Sequence, residues 1–192
     1  MASKKYYAVK APGISEIFND WPTCEAKIRG VKGVKFKGFA LLEDAKAFLG
    51  YETKPLMGLY GFIDGSYGSL SPYAGWGVVV VQDGKELQRL SGMTPQEALS
   101  RNIDGELFAA YTCAKWAQEN NKNICICYDY KGIEEWATGR WKASSAIAKW
   151  YVNAVSPLLK WVSFKKVAAH SGNRWNDIAD KLAKDAISAP KA

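Results

Sequence analysis

With 192 residues, 48% hydrophobic and 23% charged, the chain can bury a core and does not have the composition of a disordered polymer. Its longest apolar run, around Val78 to Val81, is far short of the roughly 18 residues that mark a membrane span. The opening MASKKYYAV lacks the apolar stretch of a secretion signal. Basic residues outnumber acidic ones 26 to 19, a formal charge of +7, which favours a polyanionic partner. The expected setting is a cytoplasmic monomer with no membrane attachment.

Two hydrophobic units flank a polar joint, so the expected organisation is a small module at 1–50, a linker at 51–57 and a larger domain at 58–192. The first 50 residues carry 9 − 5 = +4 and the rest 17 − 14 = +3, so the small module is the more basic per residue. Within it, Tyr6 to Lys10 reads as a strand that turns at Gly13. Asp20 or Thr23 is placed to cap a helix carrying Cys24, Ala26, Lys27 and Ile28. Val34 to Phe39 alternates apolar with small or basic residues, as a strand does, and Leu42 to Leu49 closes the module as a helix. The sum is a small α+β module.

The larger domain reads as three strands, a helix, a strand, helices, a strand and a final helix. Strands are predicted at Leu59 to Tyr67, Gly75 to Gln82 and Glu86 to Gly92, with Asp83-Gly84 as a hairpin turn. A helix over Gly105 to Glu119 puts Leu107, Ala110, Tyr111 and Ala114 on one face. Ile124 to Asp129 is a buried strand, Ile133 to Thr138 and Ser144 to Leu159 are helical, Val162 to Ala169 is a strand and Trp175 to Ile187 the closing helix. A hairpin followed by strand–helix–strand crossovers implies a mixed five-stranded sheet with flanking helices, an α/β fold. Cys24, Cys113, Cys125 and Cys127 form no C-x-x-C pair and are expected as buried free thiols.

Four acids stand out against this pattern. Asp64 interrupts the apolar strand Leu59 to Ile63, Asp129 ends the strand from Ile124, Glu106 opens the first long helix and Asp180 sits on the last one. If the first and fourth strands of the domain are neighbours, Asp64 and Asp129 lie side by side, within reach of the two helices. Each acid alone reads more readily as a solvated or capping residue; the signal is the constellation. Clustered carboxylates repel and persist where cations occupy them, and oxygen-only ligands suit magnesium or manganese. Two such ions can clamp a phosphodiester.

The motifs Phe62-Ile63-Asp64-Gly65-Ser66-Tyr67, Asn102-x-x-Gly105-Glu106-Leu107, Tyr128-Asp129-Tyr130-Lys131-Gly132-Ile133 and Ala169-His170-Ser171-Gly172, leading to Asn176-Asp177-Ile178-Ala179-Asp180-Lys181-Leu182-Ala183, are those that count. On them, residues 58–188 resemble a type 1 ribonuclease H domain. Residues 4–49 resemble the small hybrid-binding (viroplasmin-like) domain joined to cellular enzymes of that family, through Tyr6-Tyr7-Ala8-Val9, Trp21-Pro22-Thr23-Cys24 and Lys35-Phe36-Lys37-Gly38-Phe39. The resemblance implies a ribonuclease H-like sheet and an endonuclease acting on the RNA strand of RNA–DNA hybrids. It also implies two Mg2+ ions, with Mn2+ as an alternative, held by Asp64, Glu106, Asp129 and Asp180.

It implies further roles. Asp180 is preferred to Asp177 because it lies ten residues after the histidine. His170, the one histidine of the chain, takes the place of the family's assisting residue, and imidazole titrates near working pH. Asn102 would contact the hybrid backbone, with main-chain groups around Gly65, Ser66 and Gly105 reading 2′-hydroxyls. Trp136, Trp141 and Lys142 fall where the family grips the DNA strand, and Trp21, Lys35, Phe36 and Lys37 where the small domain does. Core packing is the competing assignment for the four aromatics. Gly38 stands where the family often has a lysine, and the basic protrusion of some members is not evident. The rival functions are a hybrid-binding protein without chemistry and a DNA-cutting relative.

Overall fold

A computed structural model describes residues 6–40, 42–50, 57–68, 71–167 and 173–188. The chain divides into two compact units, 1–55 with 168–174 and 56–167 with 175–192; the polar joint at 51–55 lies outside the described residues.

The first unit is a three-stranded antiparallel sheet with two helices. Strand β1 (Tyr6–Ala11) lies between β2 (Ile14–Phe18) and β3 (Lys35–Phe39). The β2 strand has no alternation to announce it, since Ser15 and Glu16 adjoin; pairing with β1 across the Gly13 turn holds it. Helix α1 (Trp21–Ile28) is capped by Asp20, whose carboxylate accepts the Thr23 N–H at 2.8 Å, and α2 (Leu42–Leu49) follows β3. Ala8, Phe39, Ala45 and Leu49 are its buried core.

The second unit is a mixed five-stranded sheet in the order β6-β5-β4-β7-β8: β4 (Leu59–Ser66), β5 (Gly75–Gln82), β6 (Lys85–Met93), β7 (Ile124–Tyr128) and β8 (Val162–Lys166). Asp83 and Gly84 join β5 to β6 with φ of 51° and 74°, the left-handed pair that a two-residue hairpin of the sheet's own twist requires. The valine run of β5 is continuous because both faces are covered. Val78 and Val80 pack with Leu107, Cys113 and Ala114 of α3 (Asn102–Glu119) and with Ile147 and Tyr151 of α5 (Ala146–Val155). Val79 and Val81 pack with Phe62, Cys127 and Ala179 of α6 (Arg174–Ser188). Helix α4 (Gly132–Ala137) contributes Ile133 to the first of these layers.

Several boundaries differ from those predicted, each for a local reason. Helix α3 begins at Asn102 rather than Gly105 because the buried Asp104 carboxylate accepts the Ser100 N–H at 3.3 Å and draws the preceding turn onto the helix. The segment predicted as one helix over Ser144 to Leu159 is α5, capped by Ser145, and then a 3-10 helix Ser156–Trp161. Pro157 has no N–H to continue the α-helical ladder. Among the cysteines, all free, Cys127 lies in the layer beneath α6, whereas Cys125 is only half-buried, beside Ser163 and Lys165.

Gly77 lets α6 approach the sheet. A Cβ there would stand 2.3 Å from the Ala179 carbonyl oxygen and 2.9 Å from the Ala183 nitrogen, backbone atoms that cannot turn aside. Gly77→Ala is expected to destabilise the protein by about 1–3 kcal/mol, read as a lowered midpoint in urea denaturation at unchanged slope.

Candidate active site

Strands β4 and β7 run parallel with Tyr60 opposite Cys125 and Phe62 opposite Cys127. Two residues further on, that register sets Asp64 opposite Asp129. Alternation along each strand turns both acids to the side of Phe62 and Cys127, the α6 side. Gly65 and Gly105 make room for the other helix. A Cβ on Gly65 would lie 2.3 Å from the Glu106 nitrogen and 2.4 Å from the Asn102 oxygen, and one on Gly105 would lie 2.3 Å from the Gly75 oxygen. Backbone contact this close brings Glu106, in the second turn of α3, within hydrogen-bonding reach of both aspartates. Glu106 is therefore inside the helix rather than at its opening.

Burial is severe for an acidic group: Asp64 is 7% exposed and Glu106 3%. Desolvation, then the charges of Asp129 and Asp180, push the Asp64 carboxyl up to about 7, against a pull downward from the Gly65 N–H, which donates to Asp64 Oδ1 at 2.8 Å. Glu106 is raised well above the ordinary carboxylate range by burial first and by Asp64 and Asp129 second. These directions are those of like charges crowded in a poor solvent. At the α6 corner, Lys184 Nζ donates to Asp180 Oδ2 at 2.7 Å, and its ammonium also feels Asp64.

A divalent cation would suit this donor set. All the donors are oxygens, Glu106 Oε2 is buried without a hydrogen-bond partner, and two carboxyls resist ionisation until a positive charge arrives. Among the described residues, however, no three acidic, histidine or cysteine side chains close around one point at ligand distance. The four predicted acids are neighbours in charge, not a finished cage. Asp180 is already paired with the Lys184 ammonium.

Comparison with known proteins bears on the family and the fold. Residues 5–49 match the model of the ribonuclease H1 N-terminal domain, and residues 58–188 match that of RNase H. The chain belongs to the ribonuclease H family. It is 31% identical over 144 residues to a ribonuclease H of Syntrophomonas wolfei, covering 67% of this chain and 94% of that one. Against the ribonuclease H of Neorickettsia sennetsu it is 29% identical over 126 residues, covering 57% of this chain and 80% of that one. The fold is that of RNase H1 from Halobacterium salinarum, with a TM-score of 0.58 at 21% identity over 68% of this chain and 97% of that one. It is also that of LC11-RNase H1, solved in complex with an RNA/DNA hybrid, with a TM-score of 0.55 at 16% identity over 67% and 99%.

The other residues singled out from the sequence of this ribonuclease H fall into three groups. Near the acids, Asn102 is exposed on the first turn of α3, and Gly65 and Ser66 end β4. Asp177 is exposed, while Asp180 is the α6 acid that acts on Asp64. On the α4 side, Trp141 is 40% exposed, Lys142 is exposed and Trp136 is half-buried between Tyr130 and Trp141. In the small unit, Phe36 is 49% exposed and its ring lies 5.3 Å from Trp21, which in turn lies 5.4 Å from Tyr7; Lys35 and Lys37 are exposed beside them. Phe36 is thus not a core residue. His170 lies outside the described residues.

Two residues receive no role from a reading of acids and motifs. Lys184 stands four residues after Asp180 on one helix face, a spacing that favours just such a pair. Tyr130 follows Asp129 and feels the Glu106 charge. A shallow groove of ≈ 390 Å³ at the other end of the sheet, lined by Tyr60, Ile124 and Trp161 among others, includes none of the four acids.

A raised carboxyl fixes the sign of a pH effect. Below about pH 4 Asp64 is protonated whether the chain is folded or not. Between there and about 7 only the folded protein keeps the proton, so its contribution to stability falls as pH rises and stays lost above. Urea denaturation in a chelator is expected to show Asp64→Asn more stable than the parent by roughly 2–4 kcal/mol at pH 8, with the gap closing towards pH 4.

Proposed function

We propose that the chain is an endonuclease that hydrolyses the RNA strand of RNA–DNA hybrids by a two-metal-ion mechanism, leaving 5′-phosphate and 3′-hydroxyl ends. The observation that carries this reading is the buried acid cluster: Asp64 is pushed up to about 7 amid Asp129 and Asp180 and in reach of Glu106, inside a region that matches the RNase H model. Crowded carboxyls of this kind are cheap to keep only where a cation recurrently neutralises them.

Asp64, Glu106, Asp129 and Asp180 are the residues to hold the ions, with Mg2+ expected and Mn2+ as an alternative. Bound there, divalent ions supply a water of lowered pKa and offset charge on the leaving oxygen. The chain's own contributions are distinct. Asp64 and Glu106 would hold the ions in their deprotonated forms. Asn102 and the main-chain groups of Gly65, Ser66 and Gly105 set the hybrid backbone against the acids and read 2′-hydroxyls. His170 moves a proton on the product side.

Trp136, Trp141 and Lys142 face the DNA strand. The small unit works as a separate hybrid-binding module at 1–50, with Trp21 and Phe36 against deoxyribose and Lys35 and Lys37 on phosphates, joined by a linker at 51–57 to the catalytic domain at 58–192. Its exposed Phe36 flanked by two exposed lysines favours that role over core packing. The protein is expected to act as a cytoplasmic monomer.

Labelled hybrid and labelled duplex DNA, run side by side on a denaturing gel with and without magnesium, test the reading. Cutting of the hybrid's RNA strand alone, dependent on the metal, is the expected result. Asp64→Asn should lower the rate by at least about a hundredfold while a mobility shift with hybrid survives. Full activity of that variant, or equal cutting of duplex DNA, contradicts the proposal.

A further inference from the structure

Arg140 is the basic residue next to the exposed Trp141, and on charge alone it looks like one more phosphate contact. Its hydrogen bonds point elsewhere. The Nε donates to Glu135 Oε2 at 2.8 Å and the Nη2 to Glu134 Oε1 at 2.7 Å, so the guanidinium fork is spent on two carboxylates of α4. Glu134 is tied in turn to the sheet, because the Tyr128 hydroxyl donates to its Oε2. Tyr128 is the last residue of β7, immediately before Asp129.

The same carboxylates and their backbone hold the aromatic. The Trp141 main-chain N–H donates to the Glu135 carbonyl at 2.9 Å, closing a turn through Gly139, whose φ of +74° only glycine adopts without strain. Lys131 Nζ lies 3.5 Å from Glu135 Oε1 and 5.6 Å from the Trp141 ring centre, and Trp136 meets Trp141 edge-on at 6.0 Å. Two acids and two bases make this cluster neutral as a whole, so it has little net charge to offer a phosphate.

Exposed ion pairs stabilise a fold very little, and Arg140 is about half-exposed. A two-pronged guanidinium contact nevertheless fixes direction, which a lysine in its place cannot do. We infer that Arg140 is a positioning residue: its fork onto Glu134 and Glu135 holds the Trp141–Lys131 platform in register with the end of β7, which Asp129 follows, so that the hybrid's DNA strand and its scissile RNA strand are gripped as one rigid object. This rests on the reading that Trp141 faces the hybrid.

The test measures hybrid affinity by fluorescence anisotropy over a range of salt, with the full chain carrying Asp64→Asn so that nothing is cut. Arg140→Ala and Arg140→Lys should both weaken binding, by about three- to tenfold, with the slope of log affinity against log salt unchanged. Glu134→Gln, which opens the clamp from the acidic side, should reproduce the loss and serves if an Arg140 variant folds poorly. Added to Trp141→Ala, Arg140→Ala should cost less than about twofold more, since both act on one contact. In the cleaving enzyme the change should appear in KM with kcat nearly kept.

Normal affinity of Arg140→Lys, or a slope reduced by about 0.9, the signature of one lost phosphate contact, overturns the positioning role. So do independent, multiplying effects of Arg140→Ala and Trp141→Ala. Parent-like affinity of Trp141→Ala overturns the platform reading itself, and this inference with it.

Discussion

Two helices come closer to the sheet than a Cβ atom permits, and the acidic cluster depends on that approach. Aspartate and glutamate side chains are short. For Asp64 on a strand to sense Asp180 on α6 and Glu106 on α3, the helix backbones must nearly touch the strands, and they do so over Gly65, Gly77 and Gly105. Gly77 is the antiparallel partner of Asp64, so the glycine that admits α6 lies directly beside the acid that α6 addresses. Small residues here are not loose packing but the condition for bringing the acids together.

The cost of such convergence is electrostatic. Desolvating Asp64 and Glu106 beside Asp129 raises the energy of their charged forms, and the fold accommodates this with shared protons and with Lys184 at the Asp180 corner. A divalent ion offers stronger compensation than either. Metal affinity and the pH dependence of folding are therefore two expressions of one repulsion. The neutral clamp around Arg140 is a different kind of device: its charges cancel locally and act through geometry.

Local chemistry made much of the fold legible in advance. Asp83-Gly84 names its own turn, Asp20 or Thr23 a helix start, and the run around Val78 to Val81 a strand. The adjacency of Asp64 and Asp129 needed one further premise, that β4 pairs with β7, which no local signal carries because some 60 residues intervene; only the strand–helix–strand pattern and the family motifs argue for it. Boundaries went astray where side chains reach back to the main chain, as Asp104 does to Ser100, or where proline interrupts a ladder, as at Pro157. Arg140 shows the harder limit. Its charge is plain in the sequence, but its two carboxylate partners become visible only once α4 and the following turn are placed in space.

Anomalous diffraction from crystals soaked in manganese addresses the acid cluster most directly. A strong peak coordinated by Asp64 together with at least two of Glu106, Asp129 and Asp180 is expected, with the Lys184 ammonium displaced from Asp180. A peak bound elsewhere, or an acid cluster left unchanged at saturating manganese, would contradict it.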